Sequence, residues 1–160
     1  MHPTIESMFD AAENRYLEQD ELTVLTSYVE SLPERIETYR CLRDKEVTLM
    51  QAVADQLETQ FSNESQQVLE RCLKNALLIM RYVAMAMLQN DPEILDQKLM
   101  AWLRETNAVY NTQAIDAALY PLISRQLAST LTASQLDLVR PYLSTAEQAF
   151  TQPNSAPVAV

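Results

Sequence analysis

The chain has 160 residues, 48% of them apolar, and its 12 basic and 22 acidic residues give a formal net charge of −10. That length can bury a real core in one domain without a metal or disulfide staple, and the apolar fraction rules out a disordered chain. The acidic surplus argues against a nucleic-acid binder, which needs spare cations to displace counterions from phosphates.

Glycine is absent altogether, where an average chain of this length carries about eleven. A phosphate-cradling loop, a dinucleotide fingerprint and the usual nucleophile elbow all need glycine. Tight hairpins built on Asn-Gly or Asp-Gly are missing too, which moves the expectation toward an all-α fold.

Taken in chain order, MHPTIESMFD has neither a basic start nor an apolar run, so no secretory signal is expected. His2, the one histidine, reads as a solvated residue near a frayed end. Asp20 opens a helical segment whose first turn holds Glu21, favourable to the helix dipole. Ser31 with Glu34 three residues on has the form of a capping box, and Pro33 suits a first turn. A new helix is therefore predicted from there to about residue 60. Its apolar stripe would be Ile36, Tyr39, Val47, Met50, Ala54, Leu57 and Phe61, interrupted by Arg43.

Ser62-Asn63-Glu64-Ser65 is a polar break, and its Asn63-Glu64-Ser65 sequon reads as chance in a chain with no secretory route. The next helix, about 65–89, is apolar on most sides and should be central. Met80, Met85 and Met87 would fill the core. Asp91-Pro92-Glu93 restarts the chain as N-cap, N1 and N2, with Ile94, Leu95, Leu99, Trp102 and Leu103 on the apolar face; Trp102 would be a buried anchor. Helices then come at about 112–130 and, capped by Thr132 with Gln135, to about Phe150. A single domain over 1–150 and a proline-bearing mobile tail at 151–160 are expected.

The chemistry is sparse. Cys41 and Cys72 are too few for a disulfide framework or, with one histidine, for a zinc site. There is no histidine triad, no haem held by a proximal histidine and no carboxylate pair that stands out, so no enzyme, metal, haem or nucleotide is expected. Asp96 and Glu105 read as helix-surface or capping groups. No stretch reaches the roughly 18 apolar residues of a membrane span, and the chain reads as intracellular and soluble.

The central stretch runs Arg71-Cys72-Leu73-Lys74-Asn75, then Arg81-Tyr82, then Asn90-Asp91-Pro92-Glu93-Ile94-Leu95-Asp96, and ends in Leu103-Arg104-Glu105-Thr106. It resembles the phycobiliproteins, the bilin-bearing subunits of the phycobilisome light-harvesting antenna. In that family a Cys-Leu-Arg-Asp is followed nine and ten residues after the cysteine by Arg-Tyr. A Gly-Asp turn, an Ile/Val-Leu-Asp and a Leu-Arg-Glu-Thr come next. Arg15-Tyr16-Leu17 and Glu21-Leu22 are similar to the family's N-terminal helices, and Leu138 to Phe150 to its closing helix. The resemblance implies a globin-like core with an N-terminal helical extension.

It also implies a linear tetrapyrrole, a bilin, joined to Cys72 by a thioether. Lys74 stands where the family has the propionate-binding arginine, and Asn75 where it has the aspartate that balances the pigment's charge. Arg71 is the nearest substitute for a pair of arginines displaced by Gln67 and Val68. Lys74 keeps a cation without the bidentate fork, and Asn75 accepts a hydrogen bond without a counter-charge. A pigment here would be held less firmly and deprotonated more easily.

Cys41-Leu42-Arg43-Asp44 matches the four-letter bilin motif better, yet nothing downstream keeps its register, so Cys41 reads as a plain helical cysteine. The short Gln60-Phe61-Ser62-Asn63-Glu64 replaces a glycine-rich loop that in the family cradles the pigment and helps subunits stack.

Glu13, Arg15, Tyr16, Asp20 and Glu21 match the family's subunit-pairing surface. The resemblance thus implies a homo- or heterodimer with a like subunit or phycobilisome subunits. It implies a cytoplasmic location at the cytoplasmic face of the thylakoid membrane. The competing reading is an unpigmented paralogue that binds phycobilisome components in assembly, turnover or regulation. An unrelated helical interaction module is the third.

Overall fold

The computed structural model describes residues 2–100, 102 and 111–151, and of 98, 100, 150 and 151 only the backbone. The elements are α1 (Pro3–Ala11), a 3-10 turn (Ala12–Asn14), α2 (Gln19–Gln60), α3 (Gln66–Gln89), a π-helical segment (Leu95–Met100), α4 (Gln113–Thr130) and α5 (Ala133–Thr151). No strand occurs among the described residues, as the all-α expectation requires.

The predicted break at Ser31 does not occur: α2 runs unbroken for 42 residues with Pro33 inside it. Proline removes one i→i−4 bond, but side-chain bonds within the helix and one to α5 span the gap. The Ser31 hydroxyl donates to Tyr28 O and accepts from Arg35 Nε. Glu34 turns outward to accept from Ser134 of α5. The capping box that does form lies earlier: Glu18 and Glu21 satisfy each other's backbone N–H groups.

The buried face of α2 also differs from the predicted stripe. It carries Arg35, Thr38, Leu42, Leu49, Val53 and Leu57, while Ile36 is exposed and Val47 is 79% exposed. Two polar residues hold interior positions because each is satisfied. Thr38 donates to Glu34 O, and the Arg35 guanidinium reaches Met87 O at 2.6 Å and Asn90 Oδ1 at 3.1 Å. A hydrophobic-periodicity reading cannot see this, since it scores both as solvent-facing.

Asn90 settles how a glycine-free chain ends its central helix. It sits in the left-handed region at φ 51°, ψ 43°, a place glycine usually takes. Asn90 N–H donates to Met87 O and Asp91 N–H to Ala86 O, closing the helix end. The Asn90 side chain then accepts from Arg35 and from the Tyr142 hydroxyl at 2.9 Å, tying α2, α3 and α5 together.

Asp91 caps the next segment, its carboxylate accepting from Glu93 N–H. That segment is π-helical over Leu95–Met100 rather than the expected α-helix, with Leu95 and Leu99 fully buried and Trp102 packed partly buried against the core. Leu103-Arg104-Glu105-Thr106 lies outside the described residues.

Thr132 with Gln135 caps α5 reciprocally, as predicted, and Ser65, read as part of a polar break, turns out to cap α3. The last helix reaches Thr151; the predicted tail beyond it, 152–160, lies outside the described residues. His2 is more than a solvated residue: its Nδ1 caps α1 by accepting from Thr4 N–H, and its ring sits 5.8 Å from Tyr28. Helix α2 packs on α3 and α4, and α5 closes over α3 and α4. One core cluster runs from Leu42 to Ala146, with Cys72 inside it.

Candidate functional site

Cys72 lies one and a half turns into α3, on the face shared with Leu69, Ala76 and Ile79, and is 2% exposed. Against it α4 sets Asp116, which is 4% exposed, with Leu119, Tyr120 and Ile123. The thiol donates to the Asp116 carboxylate. Thr112, just before α4, donates to Asp116 at 2.8 Å and its hydroxyl also lies beside the sulfur.

Burial pushes the Cys72 thiol up to about 11, and the negative field of Asp116 adds to the shift. Burial likewise raises the Asp116 carboxyl, opposed by hydrogen bonds from Thr112 and Cys72. The void beside the sulfur offers only about 10 Å³ to the centre of a water-sized sphere, room for a single water.

The other predicted site residues do not gather around this thiol. Asn75 is half-buried one helical turn from Cys72. Lys74 is exposed and lines a hollow toward α2, with Glu46, Val47 and Leu77. Arg71 lines a third place, a surface cleft of about 290 Å³ with Phe61, Glu64, Val68 and Thr112. Thr112 is the one residue common to that cleft and to the thiol's hydrogen bonds.

Asp116 is the residue sequence reasoning missed. It is one acid on a helix of ordinary composition, 44 positions from Cys72, and only the packing of α4 on α3 brings the two together. Its place in the first turn of a predicted helix marked it as a dipole partner at most.

Farther along α3, Arg81 is held by Glu46 of α2 through two hydrogen bonds of 3.0 and 2.6 Å. Beside them a groove of about 350 Å³ separates α2 from α3. Met85 is exposed on its rim rather than filling the core, while Met80 and Met87 are buried as predicted. Cys41 packs half-buried against the core. Leu42 and Arg43 face the groove, so the four-letter motif at 41–44 does not present its cysteine there.

At the N-terminal end, Arg15 grips Glu21 with two bonds of 2.8 and 2.7 Å, which holds the Glu21 carboxyl at about 2. Tyr16 is 96% exposed, and Phe9, Leu22, Val24 and Val29 present apolar surface nearby in sequence.

A bilin on Cys72 requires a thiolate that can be reached and, for a ligand of that size, a pocket of about 300–1,000 Å³. The sulfur meets neither need: it is protonated, enclosed and walled by Leu119, Tyr120 and Ile123. As placed, the described residues around the sulfur leave no pocket of that size. Among the described residues no cluster of His, Cys, Asp and Glu forms a metal site, and no helix is long and apolar enough to cross a membrane.

Comparison with known proteins places most of the chain in a family. The family model described as "Phycobilisome protein" matches residues 8–150. No curated protein matches the chain.

Proposed function

The chain belongs to the phycobilisome protein family, and on that premise we propose that it is an antenna-associated subunit acting through protein contacts, without a bilin on Cys72. The observation that carries this reading is the sealed sulfur: a thiol 2% exposed, donating to a buried carboxylate, with room beside it for one water. Family membership supports a phycobiliprotein-like role in light harvesting; the chemistry of the site supports assembly, turnover or regulation of antenna components rather than pigment carriage. In this reading the protein works on the cytoplasmic face of the thylakoid membrane.

The N-terminal helices are the proposed docking surface for a like subunit or a phycobilisome subunit. Phe9, Tyr16, Leu22, Val24 and Val29 leave apolar area uncovered there, and apolar surface beside a rigid Arg15–Glu21 pair suits a partner helix. The test is a pull-down of dissociated phycobilisome subunits on the tagged chain. Recovery of defined subunits, reduced in Leu22→Glu and Val29→Glu, is the expected result. A clean control and no subunit recovered would remove the reading.

A second reading has its own support. Cys72 to Arg81-Tyr82 keeps the family's register, and the cleft at Arg71 reaches Thr112 beside the sulfur. There the chain would carry a thioether-linked bilin on Cys72 with Arg71, Lys74 and Asn75 around it. It requires α4 to move off Cys72, and pigment colour separates the two readings.

A further inference from the structure

The groove between α2 and α3 is used by neither reading, apart from Lys74 at the edge of its far hollow. Its walls are apolar, from Leu42, Leu49 and Met50 on one side to Leu77, Met80 and Met85 on the other. A second hollow of about 300 Å³ continues it, sharing Glu46, Met50 and Leu77 and ending at Leu73 and Ala54. Val47, 79% exposed, stands on that rim. The two together lie in the range of small-molecule sites and have the usual lining of such sites, mostly apolar with a few polar groups.

The polar groups converge. Tyr39, Arg43 and Arg81 all line the first hollow, and the Tyr39 phenol lies close enough to both guanidinium groups to act on their charge. Each arginine is held in place but only partly used. Arg81 spends Nε and Nη2 on Glu46, and Arg43 spends Nε on Asp44. Arg81 Nη1 and both terminal nitrogens of Arg43 have no partner among the described residues. Two guanidinium groups lining one hollow with donors to spare suit a carboxylate. Groove-lining cations outnumber the one lining acid, Glu46, on a chain whose net charge is −10.

We propose that this groove binds a small apolar molecule bearing a carboxylate, with its head on Arg43, Arg81 and Tyr39 and its tail along Met50 and Leu77 toward Ala54. From Arg43 to Ala54 the helical rise gives a track of about 16 Å, enough for a medium-length hydrocarbon chain. The three methionines, with flexible thioether side chains, let the walls adapt to tails of differing shape. The site is independent of Cys72, so it stands or falls apart from the pigment question.

Titration calorimetry of dodecanoate into the full chain tests it. The expected result is saturable one-to-one binding, at least tenfold tighter than that of dodecyltrimethylammonium, which has the same tail and the opposite head charge. The double variant Arg43→Gln/Arg81→Gln should weaken dodecanoate at least tenfold. Ala54→Trp, which fills the far hollow and leaves both arginines, should weaken dodecanoate and spare hexanoate. Absence of saturable binding, equal affinity for the two head groups, or indifference to both sets of substitutions would overturn the proposal.

Discussion

The two sides of α3 meet their neighbours in opposite ways. Toward α4 the helix is sealed: Cys72 faces a buried carboxylate, and one water's worth of space is left. Toward α2, nine residues on, Arg81 borders an open groove of about 350 Å³ with unused donors on its rim. In the phycobiliprotein pattern both positions belong to one continuous motif. Here the motif's register persists, and in the reading proposed above packing takes the place of the cysteine's chemistry. Spacing along a helix places a residue on a face; what that face can do depends on the element packed against it.

The largest effect is expected on the sealed side. Leu119, 2% exposed, is part of the wall over Cys72. Leu119→Ala should destabilise the fold by about 2–5 kcal/mol through lost transfer energy and cavity formation. It should also speed labelling of Cys72 by a thiol reagent in a Cys41→Ser background. Unchanged labelling with full loss of stability would mean that access to the sulfur is controlled elsewhere.

Next comes the end of α3 that both sides share. Asn90→Ala keeps a Cβ in the left-handed region and removes the acceptor used by Arg35 and Tyr142. A loss of about 2–4 kcal/mol in denaturant unfolding is expected. Asn90→Gly, which accepts the backbone but not the hydrogen bonds, should fall between Ala and the natural chain.

On the open side Arg81→Gln should leave the denaturation midpoint nearly unchanged, since the pair with Glu46 is solvated. A clear fall would mean that the groove is more tightly coupled to the core than its exposure indicates.

Across pH the two sides should also part, with limbs of opposite sign. The Cys72 thiol is raised from 9.0 to about 11, so its contribution is fully present below pH 9 and is lost as pH rises toward 11. In Cys72→Ala that part of the alkaline fall should vanish. The remainder would belong to Tyr120 and Tyr142, whose phenols burial also raises. Glu21, lowered from 4.5 to about 2, acts the other way: its contribution is present above pH 4.5 and is lost as pH falls toward 2. Glu46, lowered by Arg81, fades in the same direction. Asp116, raised by burial, runs against this acid limb: its contribution is present at low pH and is lost as pH rises.

Much of the fold was legible in the sequence because its signals are local. Ser65, Asp91 and Thr132 with Gln135 cap where their residue types say they should. The misreadings on α2 share one cause, which is satisfaction of polar groups by hydrogen bonds within the fold. Ser31 and Glu34 look like a helix start, but Tyr28 O, Arg35 and Ser134 take up their hydrogen bonds, and α2 continues through Pro33. Arg35 and Thr38 look solvent-facing and are buried. The site was less legible than the fold. Register located Cys72, but the partner that decides its chemistry, Asp116, comes from another helix without a motif to announce it.

The central claim is that the sulfur of Cys72 is closed to pigment. The direct measurement is co-expression of the chain with bilin-synthesis enzymes and a broad-specificity attachment lyase, read by absorbance and by zinc-enhanced fluorescence on a denaturing gel. The account predicts a colourless band beside a coloured control phycobiliprotein. A coloured band that disappears in Cys72→Ser and survives in Cys41→Ser would contradict it, and would show that α4 opens to admit a bilin.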